Sequence, residues 1–273
     1  MHTWIDGELL ADPEAPVVPV TDHGFTVGDG VFEAVKVVDG QPFALGLHLD
    51  RLVRSAEGLG LATPDLDAVR AGVRAVLGAE HLPLGRLRVT LTAGSAPLGS
   101  GRSGGAPRLA VVAVPMAPTP DVTTVATVPW PRNERGATAG LKTTSYAENV
   151  IALAEAQRRG ASEAIFANTR GHLCEGTGTN VFYVVDGELR TPSLASGCLA
   201  GVTRGLVLDW VGGREVDEPI EVVAEATEVF LVSTTRDVQA VSSWDDRALP
   251  APGPVTWDAQ ETWKRREPEM LGR

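Results

Sequence analysis

The stretch Leu141-Lys142-Thr143-Thr144-Ser145-Tyr146-Ala147-Glu148-Asn149 lies where the character of the chain changes. Residues 132–140 before it are polar and include glycine, whereas residues 150–156 after it are almost all small and aliphatic. This pattern predicts a helix that is buried on most of its surface, with a lysine at its start. Such a lysine either extends to water or lies in a pocket where its ammonium is desolvated. In a pocket its pKa falls, and the neutral amine becomes a nucleophile toward aldehydes.

Composition and charge narrow the classes of partner. The chain has 273 residues, of which 43% are apolar and 22% charged, as in an ordinary globular protein of one large or two smaller domains. A net charge of -11 argues against nucleic acid as a partner, because phosphate binding requires a basic face. No apolar run approaches the ~20 residues of a membrane span. We therefore expect a protein that contacts neither nucleic acid nor membrane.

The N-terminal segment and the cysteines bear on location. Residues 1–7 contain neither the basic nor the apolar part of a signal peptide. Cys174 and Cys198 are the only cysteines, which suits a reducing compartment, and their spacing suits no metal site. We expect a cytoplasmic protein without a bound metal.

Residues 1–115 predict a small domain of strands and helices. An Asp6-Gly7 turn within residues 3–10 is typical of a hairpin, and residues 31–38 predict a buried strand paired with residues 41–45. Apolar residues at helical spacing predict helices over 48–60 and 65–77. Strands are predicted over 85–93 and 109–114, and the glycine-rich loop at 94–105 between them has the length of many functional lids.

Three prolines within residues 115–120 predict a linker at 116–121, and residues 122–273 then form a larger second domain. In that domain the pattern predicts a helix over 202–211. It also predicts strands over 122–128, 161–167, 179–185, 188–191, 229–233 and 238–241.

Four further features carry candidate chemistry. Glu175 precedes a glycine- and threonine-rich bend, where it is either a turn residue or an acid that holds a ring nitrogen protonated. Gly201-Val202-Thr203-Arg204 opens a helix and either caps it or binds an anion. The hydroxyls of Ser233-Thr234-Thr235 either bind phosphate or close a turn. Arg51, at the edge of an apolar stripe, either faces water or turns inward to an anion.

Together these features supply an amine, an acid for a ring nitrogen and donors for a phosphate, which are the requirements of pyridoxal 5′-phosphate. The chain resembles the class IV aminotransferase family, the fold-type IV pyridoxal-phosphate enzymes. The family includes branched-chain and D-amino acid aminotransferases, (R)-amine transaminases and 4-amino-4-deoxychorismate lyase. The resemblance covers nearly the whole chain and rests on the ordered segments 28–33, 48–52, 142–146, 175–182, 201–204 and 233–235.

The resemblance implies an α+β fold in two domains: a small N-terminal α/β domain and a larger C-terminal domain with a β-barrel-like core. It also implies a homodimer with its site at the junction of the domains. Lys142 would carry the cofactor as a Schiff base, and Glu175 would contact its ring nitrogen. The remaining expected contacts are Tyr146 near the phenolic oxygen, and Arg51, Val202, Thr203, Thr234 and Thr235 at the phosphate.

The substrate is less firmly indicated. D-amino acid aminotransferases carry a carboxylate-binding arginine in the loop where this chain has Leu98, so that arginine is either missing here or replaced by Arg102. Phe32 and Arg102 are the expected substrate-binding residues. The length of the chain suits the D-amino acid and lyase branches. We therefore predict a transaminase that acts on D-amino acids or (R)-amines with a 2-keto acid. The alternative is a lyase that forms 4-aminobenzoate and pyruvate from aminodeoxychorismate.

Overall fold

The computed structural model describes residues 1–102 and 104–273, so position 103 of the glycine-rich loop lies outside the described residues. The chain divides into two compact units. The first contains Met1–Pro118, Leu141–Tyr146 and Glu269–Arg273, and the second contains Thr119–Gly140 and Ala147–Pro268. The predicted linker at 116–121 spans the position where the first unit ends.

Two segments that the sequence assigned to the larger domain belong to the first unit instead. Thr143 forms an antiparallel bridge with Val31, and Leu271 forms one with Phe43. Backbone pairing between residues so far apart leaves no pattern in the local sequence. Both segments were therefore assigned to the domain that is nearest to them along the chain, which was wrong.

The first unit is a six-stranded sheet covered by helices. Its elements are β1 (His2–Ile5), β2 (Glu8–Leu9), α1 (His23–Thr26), β3 (Gly30–Val38), β4 (Gln41–Pro42), α2 (Leu45–Gly58), α3 (Leu66–Ala79), β5 (Leu84–Thr92) and β6 (Arg108–Pro115). The strand order is β2-β1-β6-β5-β3-β4, and every neighbouring pair is antiparallel.

Alternation along β5 fixes which face of this sheet is buried. Leu87, Val89 and Leu91 enter the core formed with α2 and α3, whereas Arg86 and Arg88 point to the other face. The predicted strand over 41–45 is wrong beyond Pro42, because Leu45 already begins α2 and its side chain joins the same core.

The second unit is built on a nine-stranded mixed sheet. Its elements are β7 (Val122–Thr127), α4 (Ala147–Arg158), β8 (Glu163–Ala167), β9 (Leu173–Gly176), β10 (Asn180–Val185), β11 (Glu188–Pro192), α5 (Val202–Trp210), β12 (Arg214–Val216), β13 (Glu228–Ser233), β14 (Asp237–Trp244), β15 (Arg247–Ala248) and α6 (Pro254–Arg266), with 3-10 turns at Leu194–Ser196 and Ile220–Ala224. A further 3-10 turn, Glu267–Met270, begins in this unit and ends in residues of the first. The order is β12-β11-β10-β13-β14-β7-β8-β9, with β15 on β14. The pairs β7–β14, β7–β8 and β11–β12 are parallel.

The helix after the lysine differs from its prediction. In α4 only Asn149, Ala152 and Ala156 are buried, whereas Val150 and Ile151 are 64% and 56% exposed. One helical stripe therefore contacts the sheet, and the aliphatic residues beside it face outward. Within residues 1–102 and 104–273, no helix has the length and apolar character needed to cross a bilayer.

Candidate active site

Lys142 lies in a short segment held along β3 of the first unit. The amide of Phe32 donates to the Lys142 carbonyl at 3.1 Å, and the amide of Thr144 donates to the Gly30 carbonyl at 2.8 Å. The Lys142 amide donates to the Ser55 hydroxyl on α2 at 3.1 Å. These bonds fix the backbone on both sides of the lysine, so the direction of its side chain is set by β3 and α2.

The side chain of Lys142 is half-buried beside two aromatic rings. Its Nζ lies 4.5 Å from the ring centre of Phe32 and 5.9 Å from that of Tyr146. The two rings meet edge to face, with centres 5.3 Å apart. The structure thus brings together three of the predicted site residues, Lys142, Phe32 and Tyr146, with the amine of the lysine beside the two rings.

Arg88 is a fourth member of this cluster that the sequence did not single out. Its Cζ lies 3.8 Å from the ring centre of Phe32, and its Nε donates to Thr90 at 3.1 Å. Burial among neighbouring atoms lowers the pKa of the Arg88 guanidinium, and the nearby Tyr146 opposes that shift. The residue nevertheless remains accessible to solvent.

Arg51 is buried in α2 against β3. Its Nε and Nη2 donate to the two carboxylate oxygens of Glu33 at 2.8 and 2.6 Å, and Nδ1 of His48 lies 2.7 Å from the same carboxylate. Burial alone would raise the pKa of Glu33, but Arg51 and His48 outweigh it and bring that pKa to about 2. Burial, opposed by Glu33, lowers the pKa of His48, and the charges of Arg51 and Lys142 add to the decrease. Arg51 is therefore turned inward and held by a carboxylate.

Arg102 is held by partners within the first unit. Its Nε donates to the Asp29 carboxylate at 2.7 Å, and its Nη1 and Nη2 donate to the carbonyls of Gly60 and Leu59 at 2.7 and 2.9 Å. These bonds hold Arg102 against the C-terminal end of α2. A substrate carboxylate would have to compete with Asp29 for the guanidinium of Arg102. Arg88, which lies over Phe32, has no such carboxylate bonded to it among the hydrogen bonds described above.

Glu175 lies in β9 of the second unit, just before a bend at residues 177–178, and pairs with Phe166 of β8. Its Oε2 accepts a hydrogen bond from the Leu199 amide at 2.8 Å, and its Oε1 lies 3.3 Å from Nε of Arg132. The next residue must be glycine, because a Cβ at Gly176 would collide with the Thr179 hydroxyl. Glu175 is thereby connected to the segment that leads into α5.

The start of α5 fits a phosphate. Gly201 is its N-cap and offers no side-chain cap, so the first amides of the helix lack intrahelical acceptors. The Thr203 hydroxyl is buried and has no hydrogen-bond partner among residues 1–102 and 104–273. An unpaired buried hydroxyl costs free energy unless a ligand pairs with it. The amides of Val202 and Thr203, with this hydroxyl, suit an oxyanion.

Thr234 and Thr235 lie in the turn between β13 and β14, which the register pair Ser233–Asp237 closes. The Thr235 carbonyl accepts a hydrogen bond from Thr119 at 2.6 Å. The sequence analysis left open whether these residues close a turn or bind phosphate, and their backbone does form a turn. A phosphate role for the two hydroxyls stays a prediction.

Sequence reasoning missed Arg132 and Glu163, both near Glu175 in the second unit. Glu163 is buried in β8 and accepts from the Thr177 amide at 3.0 Å and from the Thr177 hydroxyl. No local pattern marks Arg132, because its neighbours come from distant parts of the chain. For Glu163 the one available signal was an acid within the strand predicted over residues 161–167. In the described part of the chain, no cluster of His, Cys, Asp and Glu has the form of a metal site.

Comparison with known proteins gives a family match. Residues 30–244 match the model of the family described as amino-transferase class IV. A branched-chain-amino-acid aminotransferase of Pseudomonas aeruginosa is 29% identical over 280 residues, covering 95% of this chain and 91% of that one. A D-alanine aminotransferase of Staphylococcus epidermidis is 28% identical over 261 residues, covering 89% and 88%. The PLP-bound structure of a hypothetical aminotransferase from Mycobacterium tuberculosis superposes with a TM-score of 0.85 at 26% identity, covering 98% and 99%.

Proposed function

The chain belongs to the class IV aminotransferases, which use pyridoxal 5′-phosphate, and on that premise we propose that it transfers an amino group between a D-amino acid or (R)-amine and a 2-keto acid. The observation that carries the proposal is the pair of cations beside Phe32. Lys142 supplies an amine, and Arg88 supplies a guanidinium that suits a substrate carboxylate.

The residues of the chain fit the cofactor, as the unpaired hydroxyl of Thr203 and the uncapped start of α5 indicate. In the proposal, Lys142 holds the cofactor, Tyr146 lies near its phenolic oxygen and Glu175 holds a proton on its ring nitrogen. The amides of Val202 and Thr203 with the Thr203 hydroxyl bind the phosphate, and Arg51, Thr234 and Thr235 complete its set of donors.

When bound, pyridoxal 5′-phosphate supplies an aldehyde that combines with amines and a cationic ring that accepts an electron pair. The chain supplies proton transfer and orientation. The Nζ of Lys142 takes the proton from the Cα of the amino donor. When the keto acid is converted to the new amino acid, the same Nζ delivers a proton to its Cα. Arg88 orients the substrate through its carboxylate, and Phe32 and Tyr146 form an apolar wall that excludes water near the amine.

A second candidate donor is a branched-chain amino acid, which the likeness to the Pseudomonas aeruginosa enzyme supports. The likeness to the Staphylococcus epidermidis enzyme supports D-alanine. Lys142, Glu175 and Arg88 would have the same roles with either donor. The two donors therefore differ only in the configuration at Cα and in the side chain.

The test is a panel of amino donors followed by absorbance of the bound cofactor. The panel contains D-alanine, L-alanine, D-leucine, L-leucine, an (R)-amine and aminodeoxychorismate. Conversion of the cofactor to its amine form by the D-amino acids and the (R)-amine is the expected result. Conversion by L-leucine alone would assign the branched-chain reaction instead. Release of pyruvate from aminodeoxychorismate, without conversion of the cofactor by any donor, would assign the lyase.

We further expect a cytoplasmic homodimer, in keeping with the family. Sedimentation equilibrium of the cofactor-loaded protein measures the assembly, and a mass of 28.7 kDa, that of one chain, would contradict it.

A further inference from the structure

Arg132 is the charged neighbour of Glu175 within the second unit. Its Nε lies 3.3 Å from Oε1 of Glu175, close enough for an ion pair although the N–H is not aligned for a hydrogen bond. Both side chains are largely buried, with 17% and 12% of their surface exposed. A guanidinium and a carboxylate that approach this closely in a low-dielectric setting interact more strongly than a surface pair.

The guanidinium of Arg132 is fixed from several sides. Its Cζ lies 4.2 Å from the ring centre of Phe166, and its Nη1 donates to Oδ1 of Asn149 at 3.0 Å. The backbone amide of Arg132 donates to the Ala167 carbonyl at 2.8 Å, which anchors the residue at the end of β8. A planar cation stacked on a ring and bonded at one edge keeps its position at little further cost in entropy.

Asn149 extends this arrangement to the loop after Glu175. It is buried on α4, and while its Oδ1 accepts from Arg132, its Nδ2 donates to the carbonyl of Thr177. The side of Glu175 opposite to Arg132 is fixed by the Leu199 amide. Glu175 is thus held by a cation at one oxygen and by a backbone donor at the other.

We propose that Arg132 is a positioning residue that fixes the orientation of the Glu175 carboxylate for its contact with the ring nitrogen of the cofactor. The inference rests on the proposed role of Glu175. A carboxylate deprived of this neighbour is free to rotate away from the ring nitrogen, and that rotation weakens its hold on a cationic ring. Arg132 itself contacts neither substrate nor the reacting atoms in this proposal.

The experiment is a double-mutant cycle on the full-length protein. Wild type, Arg132→Met, Glu175→Gln and the double variant are compared by fluorescence titration with pyridoxal 5′-phosphate and by kcat and KM for the best donor. Arg132→Met is expected to weaken cofactor binding about tenfold and to lower kcat with KM nearly unchanged, as when a partly buried charged partner is lost. In the Glu175→Gln background the same substitution is expected to change cofactor binding by no more than about twofold.

Two further variants separate positioning from a general structural role. Arg132→Lys keeps a charge beside Glu175 and is expected to recover most of the lost affinity. Arg158→Met removes an arginine that pairs with Glu155 on the exposed face of α4, and should alter neither affinity nor kcat.

Equal losses for Arg132→Met in both backgrounds would overturn the inference, as would a Lys variant as impaired as the Met variant. If Glu175→Gln alone binds cofactor and turns over like wild type, the proposed function of Glu175 fails, and this inference fails with it. That result is distinct from an impaired Glu175→Gln protein that shows no coupling to Arg132, which overturns the role of Arg132 alone.

Discussion

At the scale of single residues, the amine of Lys142 is the group whose removal should matter most. Lys142→Ala is expected to lower turnover by at least about a thousandfold, because no other nucleophile replaces a covalent anchor and proton carrier. The half-buried side chain leaves little core packing to lose, so the fold should persist. Single-turnover absorbance and far-UV circular dichroism measure the two effects. Lys264→Ala, at an exposed pair with Glu261, is the matched control. Repeated turnover by the Lys142 variant would rule out the assignment.

Arg88 gives a second test at this scale, because a carboxylate clamp matters only for donors that carry a carboxylate. Arg88→Met is expected to raise KM for D-amino acids by about tenfold and to leave an (R)-amine without a carboxylate nearly unaffected, as loss of a charge-assisted hydrogen bond predicts. Arg86→Met is the control, since Arg86 lies on the same face of β5 and contacts Met116. Equal effects on the two kinds of donor would remove Arg88 from the carboxylate site.

At the scale of elements, Glu33 couples β3 to α2. Its pKa of about 2 in the folded protein lies below the ordinary value of 4.5. A depressed carboxyl pKa stabilises the fold fully above about pH 4.5, and this stabilisation is lost as the pH falls toward 2. The difference corresponds to about 3 kcal/mol in the free energy of unfolding.

The measurement is denaturant unfolding between pH 5 and 2. Wild type should lose about 3 kcal/mol more over this range than Glu33→Gln, which cannot titrate. Glu57→Gln, an exposed acid on α2, should keep the wild-type slope. Parallel pH profiles for wild type and the Glu33 variant would show that Glu33 titrates normally.

At the scale of the whole molecule, cofactor binding should appear as stability. A ligand that binds only the folded protein at a hundred times its Kd raises the free energy of unfolding by about 2.7 kcal/mol. Thermal unfolding with increasing pyridoxal 5′-phosphate should therefore show a rising Tm. Arg51→Ala should weaken this dependence more than it changes saturation by the amino donor, since the proposal assigns Arg51 to the phosphate. A Tm that does not respond to the cofactor would contradict binding to the folded chain.

Much of the local structure was predictable because its causes are local. The Asp6-Gly7 turn, the cap of α3 by Asp65 and the apolar alternation of β5 each depend on residues a few positions apart. The prediction failed where several patterns compete. Val150 and Ile151 are aliphatic yet exposed, because α4 buries a single stripe that includes two alanines.

By itself the sequence determined the family and the cofactor, because a lysine, an acid and a helix start follow one another in a characteristic order along the chain. Only the tertiary structure decided which charges meet. Arg51 donates hydrogen bonds to Glu33, Arg102 donates hydrogen bonds to Asp29, and Arg132 forms an ion pair with Glu175. The physical reason is that ion pairs and ring contacts depend on distances of a few ångströms, and strand pairing sets those distances between residues far apart in the chain.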